Sequence, residues 1–132
     1  MSPDVAIVGI YAALNGILIL VLSYLVGHHR GRLGALEPGA AGDATLTKAV
    51  RAHGNATEYI PTALLLLLIL ALLSAPGYLL HGLGASFTFG RVAQAAGMMR
   101  DKHPNAVRFT GNLLTGLVYL IASCAALYYS FS

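Results

Sequence analysis

Residues 62–73 of this chain, TALLLLLILALL, hold nothing polar after the first threonine. The residues directly before them, 51–61 (RAHGNATEYIP), hold an arginine, a histidine, an asparagine, a glutamate and a tyrosine. The first kind of run belongs in hydrocarbon; the second is joined to it with no turn between. Arg51, Asn55 and Glu58 are spaced by four and then three residues, and Tyr59 follows. At about 3.6 residues per turn all four fall on one stripe of a helix, with Lys48 and Thr62 on the same side. Ionisable groups at membrane depth cost several kcal/mol each unless they face a bundle interior or a wet cavity, so such a stripe reads first as a functional site.

Composition agrees with a membrane setting. Of 132 residues, 57% are hydrophobic and 10% charged, against about 25% charged in soluble domains. One domain is the natural count, an all-α integral membrane protein. The net charge of +3 comes from basic residues gathered at helix ends, with no aromatic-interleaved basic patch, so nucleic acid is excluded as a partner. One cysteine, Cys124, rules out an intrachain disulfide and a cysteine-based metal cluster. The first apolar segment lacks a basic leader and reads as a retained span, not a cleaved signal.

Four spans are expected, at about residues 5–26, 46–74, 77–99 and 106–129, making an up-down four-helix bundle. In the first, Gly9, Ala12, Ala13 and Gly16 suit close approach to another helix, and mid-span Asn15 suits a hydrogen bond across a helix interface. Residues 27–45 read as a glycine-rich loop. His28, His29, Arg30 and Arg32 open it, and the two arginines there meet lipid headgroups or an anionic ligand. Adjacent histidines do not share a helix face, so no metal site is expected. Pro61 should bend the second span. The third span is the least apolar and should lie within the bundle; Arg91, Gln94 and Met98 share a face. Arg108 stands one turn into the fourth. Tyr119, Tyr128 and Tyr129 suit an interfacial aromatic belt, and Cys124 an inert buried thiol. The first and third loops hold Arg30, Arg32, Arg100 and Lys102, with Lys48, Arg51 and Arg108 close by, whereas the second loop and the C-terminus carry no lysine or arginine. The positive-inside rule then turns both termini away from the cytoplasm and the polar stripe towards it.

Arg30, Arg51, Glu58, Arg91 and Arg108, with His53, Asn55, Tyr59 and Gln94, therefore gather at one end. Arginine binds carboxylates bidentately and a glutamate receives an ammonium, so the set suits a zwitterionic peptide with two carboxylates and an amine. The same residues equally suit salt bridges that only hold helices together. Residue chemistry alone leaves both readings open.

RAHGNATEYIP resembles the signature of the membrane-associated proteins in eicosanoid and glutathione metabolism: arginine, four residues on asparagine, three further glutamate, then an aromatic and, after one residue, proline. The similarity extends to Gly42-Asp43, Gly90-Arg91 and Arg108. Members are four-helix bundles that form homotrimers and bind glutathione, as co-substrate, between adjacent subunits near the cytoplasmic side. The resemblance implies that Arg51, Asn55, Glu58 and Tyr59 line the glutathione site and that Arg30 and Arg91 reach its carboxylates. It also makes His53 a polar contact and Arg108 the stabiliser of the thiolate. Gln94 joins this set from the third span. Glutathione would then attack a lipophilic electrophile or hydroperoxide arriving from the lipid, in a bacterial inner membrane. Eicosanoid-synthesising members carry tyrosines where this chain has Gln94 and Met98, which favours a bacterial-type member that conjugates or reduces lipophilic compounds. Two other classes remain: a non-catalytic glutathione or lipid binder, and a small multidrug-type transporter. The transporters place their membrane glutamate in the first helix with no arginines beside it.

Overall fold

The computed structural model describes residues 3–34, 43–102 and 105–131. Four helices account for nearly all of them: α1 (Pro3–Leu33), α2 (Ala44–Leu72), α3 (Gly77–Met99) and α4 (Ala106–Phe131). Three of these, α1, α2 and α4, are long and apolar enough to cross a membrane. The third is not; it packs against all three others, as α2 also does. Its buried residues include Leu80, Leu83, Gly84, Phe87, Gly90, Arg91, Gln94 and Met98.

The core follows the helical period. On α2, Ala49, Ala52, Ala56, Ile60, Ala63, Leu67 and Leu70 are all buried, a ridge recurring every three or four residues. Alanine fills it in the half that carries the polar stripe, and leucine in the half without. Small residues let neighbouring backbones approach where there is no water to drive association. Asp43 caps α2, its Oδ1 accepting the Leu46 N–H at 2.7 Å; its companion in the motif, Gly42, lies outside the described residues. Pro61 sits inside α2, which continues through it as one helix.

The helix bounds depart from expectation at one place. α1 runs on to Leu33, so Gly27, His28, His29, Arg30 and Arg32 are helical and not the start of a loop. Two glycines did not end the helix; the stop comes at Gly34, whose φ of +65° is a backbone state that glycine adopts without strain. At roughly 1.5 Å per residue, α1 is longer than a bilayer core requires, and its last two turns carry the basic residues beyond it. The small residues of α1 also differ from expectation. Gly9, Ala13 and Gly16 are exposed, and a Cβ at Gly9 or Gly16 would meet nothing within 4 Å. Close approach is made elsewhere, by Gly84 against the Tyr11 ring, and by Gly90, Gly97 and Gly111 between α3 and α4. Asn15 does as expected: its Nδ2 donates to Thr88 Oγ1 at 2.8 Å, tying α1 to α3.

Candidate functional site

A cleft of about 280 Å³ opens between α2 and the facing ends of α3 and α4, lined by Arg51, Gly54, Asn55, Glu58, Met98 and Arg108. Gly54 gives it depth, since no atom lies within 4 Å of where its Cβ would be. Helix periodicity explains why these residues face outward. Arg51, Gly54, Asn55 and Glu58 lie on the side of α2 opposite the ridge of Ala49, Ala56 and Ile60. Among the described residues, no lysine, arginine or histidine nitrogen lies within 4.0 Å of the Glu58 carboxylate. Neither Arg51 nor Arg108 is ion-paired among them either. An ion pair joins Lys48 to Asp101, outside the cleft. Among the described residues, those that were to hold helices together by salt bridges do not do so.

Behind the cleft, Arg91 is 2% exposed. Its Nη2 donates to Asn55 Oδ1 at 2.7 Å, and its Cζ lies 5.2 Å from the centre of the Tyr59 ring. A guanidinium has no acceptor, so Asn55 must give it the carbonyl oxygen and can offer the cleft only amide N–H groups. The cleft is then set with donors from Arg51, Arg108 and Asn55 and with one anionic acceptor, Glu58. A ligand that fits carries more than one anionic group and a single cationic one. The face of Tyr59 supports the buried cation, a contact worth about 0.5–2 kcal/mol.

Tyr59 is in turn held by Tyr119. The two rings meet edge to face at 5.8 Å, and the Tyr119 hydroxyl donates to the Tyr59 carbonyl at 2.6 Å. Tyr119 also lies 6.4 Å from Phe87. It therefore belongs to the scaffold of the cleft. A signal for this was present: Tyr119 follows Arg108 by eleven residues, three helical turns, on one face of α4. Gly54 was also missed; only the shape of the cleft reveals it.

The remaining expected residues lie apart. Gln94 is 2% exposed in the core, one turn from Arg91, and its Oε1 has no hydrogen-bond partner among the described residues. Arg30 and His53 are half-buried and do not line the cleft. His53 projects about 200° around α2 from Arg51, beyond the alanine ridge. Cys124 is exposed, not buried as expected.

The MAPEG family model matches residues 8–128. The chain belongs to the MAPEG family. The match runs through all four helices, so it rests on much more than the second-helix motif, and it displaces the small multidrug transporter as a comparison. The inner membrane proteins YecN from two strains of Escherichia coli, K12 among them, are each 34% identical over 83 residues. That alignment covers 63% of this chain, and the chain spans 63% of the length of those relatives. No solved structure matches significantly.

Proposed function

We infer that this MAPEG protein is a membrane-bound, glutathione-dependent transferase or peroxidase. The observation that carries the reading is the Glu58 carboxylate, with no ion partner among the described residues, sharing one cleft with Arg51, Arg108 and the amide of Asn55. Glutathione has the complementary charges: two carboxylates, one ammonium and a thiol. Arg51 and the Asn55 N–H groups meet a carboxylate, Glu58 takes the ammonium, and Arg108 stands by the sulfur. A guanidinium within hydrogen-bond reach favours the thiolate, the nucleophilic form, at neutral pH. The thiolate then forms a carbon–sulfur bond while the leaving group departs with the electron pair. With a hydroperoxide, sulfur takes the outer oxygen and an alcohol leaves; a second glutathione completes the disulfide and releases water.

Arg91 acts through Asn55, by fixing which end of the amide faces the ligand. Arg30 and His53 lie outside the cleft of their own chain, and in a homotrimer the neighbouring copy would deliver them to it. Gln94 backs the site from the core of α3. The second reading, a non-catalytic glutathione binder, differs only in what Arg108 does. An inner membrane is carried over from the YecN relatives; both termini outside and the cleft towards the cytoplasm follow the lysine and arginine asymmetry of the loops.

The direct test is a titration of glutathione into detergent-solubilised protein, with conjugation of 1-chloro-2,4-dinitrobenzene measured alongside. Arg108→Ala should lower turnover by about 10²–10³-fold and leave glutathione affinity nearly unchanged. Glu58→Ala should weaken binding by about ten- to a hundredfold, the worth of a charge-assisted hydrogen bond. Equal behaviour of both variants and the parent would remove the assignment. Binding without conjugation would leave the binder.

A further inference from the structure

The junction that leads into α4 is built around Asn105. Its Oδ1 accepts the backbone N–H of Arg108 at 2.8 Å, the contact an N-cap makes to the third residue of its helix. Its Nδ2 donates to the Gly97 carbonyl at 3.0 Å and to the Lys102 carbonyl at 2.9 Å. One side chain thus closes the start of α4 and ties it to the last turn of α3. Gly97, the residue so tied, is buried against Arg108 itself. A Cβ at Gly97 would lie 2.5 Å from Arg108 N and 2.6 Å from its Cα and Cβ. Real Cβ atoms do not sit that close to a neighbouring backbone, so only glycine lets α4 rest where it does.

Both contacts converge on the same backbone. Asn105 holds the Arg108 N–H; Gly97 sets how near the Arg108 Cα comes to α3. The guanidinium hangs from that root on a long side chain with much rotamer freedom. Where its head can reach depends on where the root stands. A misplacement of roughly 1 Å at a reacting centre costs about 10²-fold, so a side chain acting on sulfur needs its attachment fixed. We propose that Asn105 and Gly97 are positioning residues for Arg108: through its backbone they set the distance from guanidinium to the bound thiol. The proposal rests on the thiolate role given to Arg108 above.

The test reads the thiol and not the fold. Glutathione bound to the detergent-solubilised full chain is titrated with base while the ultraviolet absorbance of its thiolate is followed. Affinity is measured by calorimetry and helix content by circular dichroism. Gly97→Ala and Asn105→Ala should each raise the pH at which the bound thiol ionises by about one unit, a tenfold loss of thiolate at a given pH on that limb. Affinity measured below the pH at which the bound thiol ionises should stay within about twofold, because the Arg51, Asn55 and Glu58 contacts are untouched and the thiol form does not draw on Arg108. Asn105→Ser keeps an oxygen for the Arg108 N–H but is too short for the Gly97 carbonyl, and should give a smaller shift. Should Gly97→Ala fail to fold, the two Asn105 variants decide alone. The proposal is overturned if these variants keep the parent's ionisation, or if affinity and helix content fall together with no separate effect on the thiol. Arg108→Ala is the control. If it shifts the ionisation and the positioning variants do not, the thiolate reading stands and this one falls. If it shifts nothing, both fall.

Discussion

Arg91 shows what spacing can and cannot reveal about a single residue. Its place three residues from Gln94 put both on one face of α3, and both are buried together. Spacing gives a face but not a depth, so Arg91 was expected to touch the ligand and instead stands behind Asn55. Replacing it sets two effects against each other. Arg91→Met removes a cation from a desolvated site, which by itself stabilises, and strands the Asn55 carbonyl, which costs about 1–3 kcal/mol. With these opposed, the expected result is a fold of nearly parental stability whose Asn55 no longer presents its amide in a fixed sense. Glutathione affinity, measured by calorimetry, should fall about tenfold, the worth of one hydrogen bond to a charged group. Unchanged affinity would mean that Asn55 needs no backing. Cys124 teaches the companion lesson: an apolar position facing lipid and one facing the core look alike in a membrane sequence, because both sides are apolar.

Among the helices, the number and order were legible because each apolar run ends in polar or turn-forming residues. Which small residues make the close contacts was not. Glycine and alanine recur at helical spacing on both α1 and α3, and one sequence does not say which stripe meets a partner within the chain. The structure chooses Gly84, seated beneath Tyr11, whose hydroxyl shares a 2.9 Å hydrogen bond with His81 Nδ1. Gly84→Ala should therefore destabilise by about 1–3 kcal/mol, the usual cost of overpacking. Gly82→Ala, where a Cβ meets nothing within 4 Å, should be neutral or gain up to about 1 kcal/mol of helix propensity. Equal melting temperatures for the two in one detergent would show that α1 and α3 are not closed here. The turn after α2 offers a change of the opposite sign. Ser74 has a φ of +59°, and the Ala75 N–H reaches back to the Leu70 carbonyl at 3.0 Å, the pattern of a helix ending in a left-handed residue. Ser74→Gly should stabilise by about 1 kcal/mol through relief of that backbone state, visible as a raised melting temperature.

At the level of the molecule, a bundle with basic loops at one end only makes a claim about sidedness. In a Cys124→Ser background, a cysteine placed at Ser74 should react with an impermeant maleimide from outside intact cells, and one at Lys102 should not until the membrane is opened; the reverse pattern would invert the molecule. The larger claim concerns the number of chains in one site. Among the described residues, Arg51, Glu58 and Arg108 have no ion partners in their cleft, and Arg30 and His53 lie outside it. No pattern in one sequence announces a second copy, because a residue that serves a neighbour's cleft looks on its own helix like any other exposed polar group. If Arg30 completes a neighbour's site, Arg30→Ala and Arg108→Ala should each be nearly inactive alone and active when mixed. In a randomly mixed homotrimer about a quarter of the sites would pair an intact cleft with an intact Arg30. Co-expressed variants should recover close to that fraction of parental conjugation, provided that the measured mass is that of three chains. Recovery no greater than the sum of the two variants alone would put Arg30 and Arg108 to work within one chain, and the site would not lie between copies.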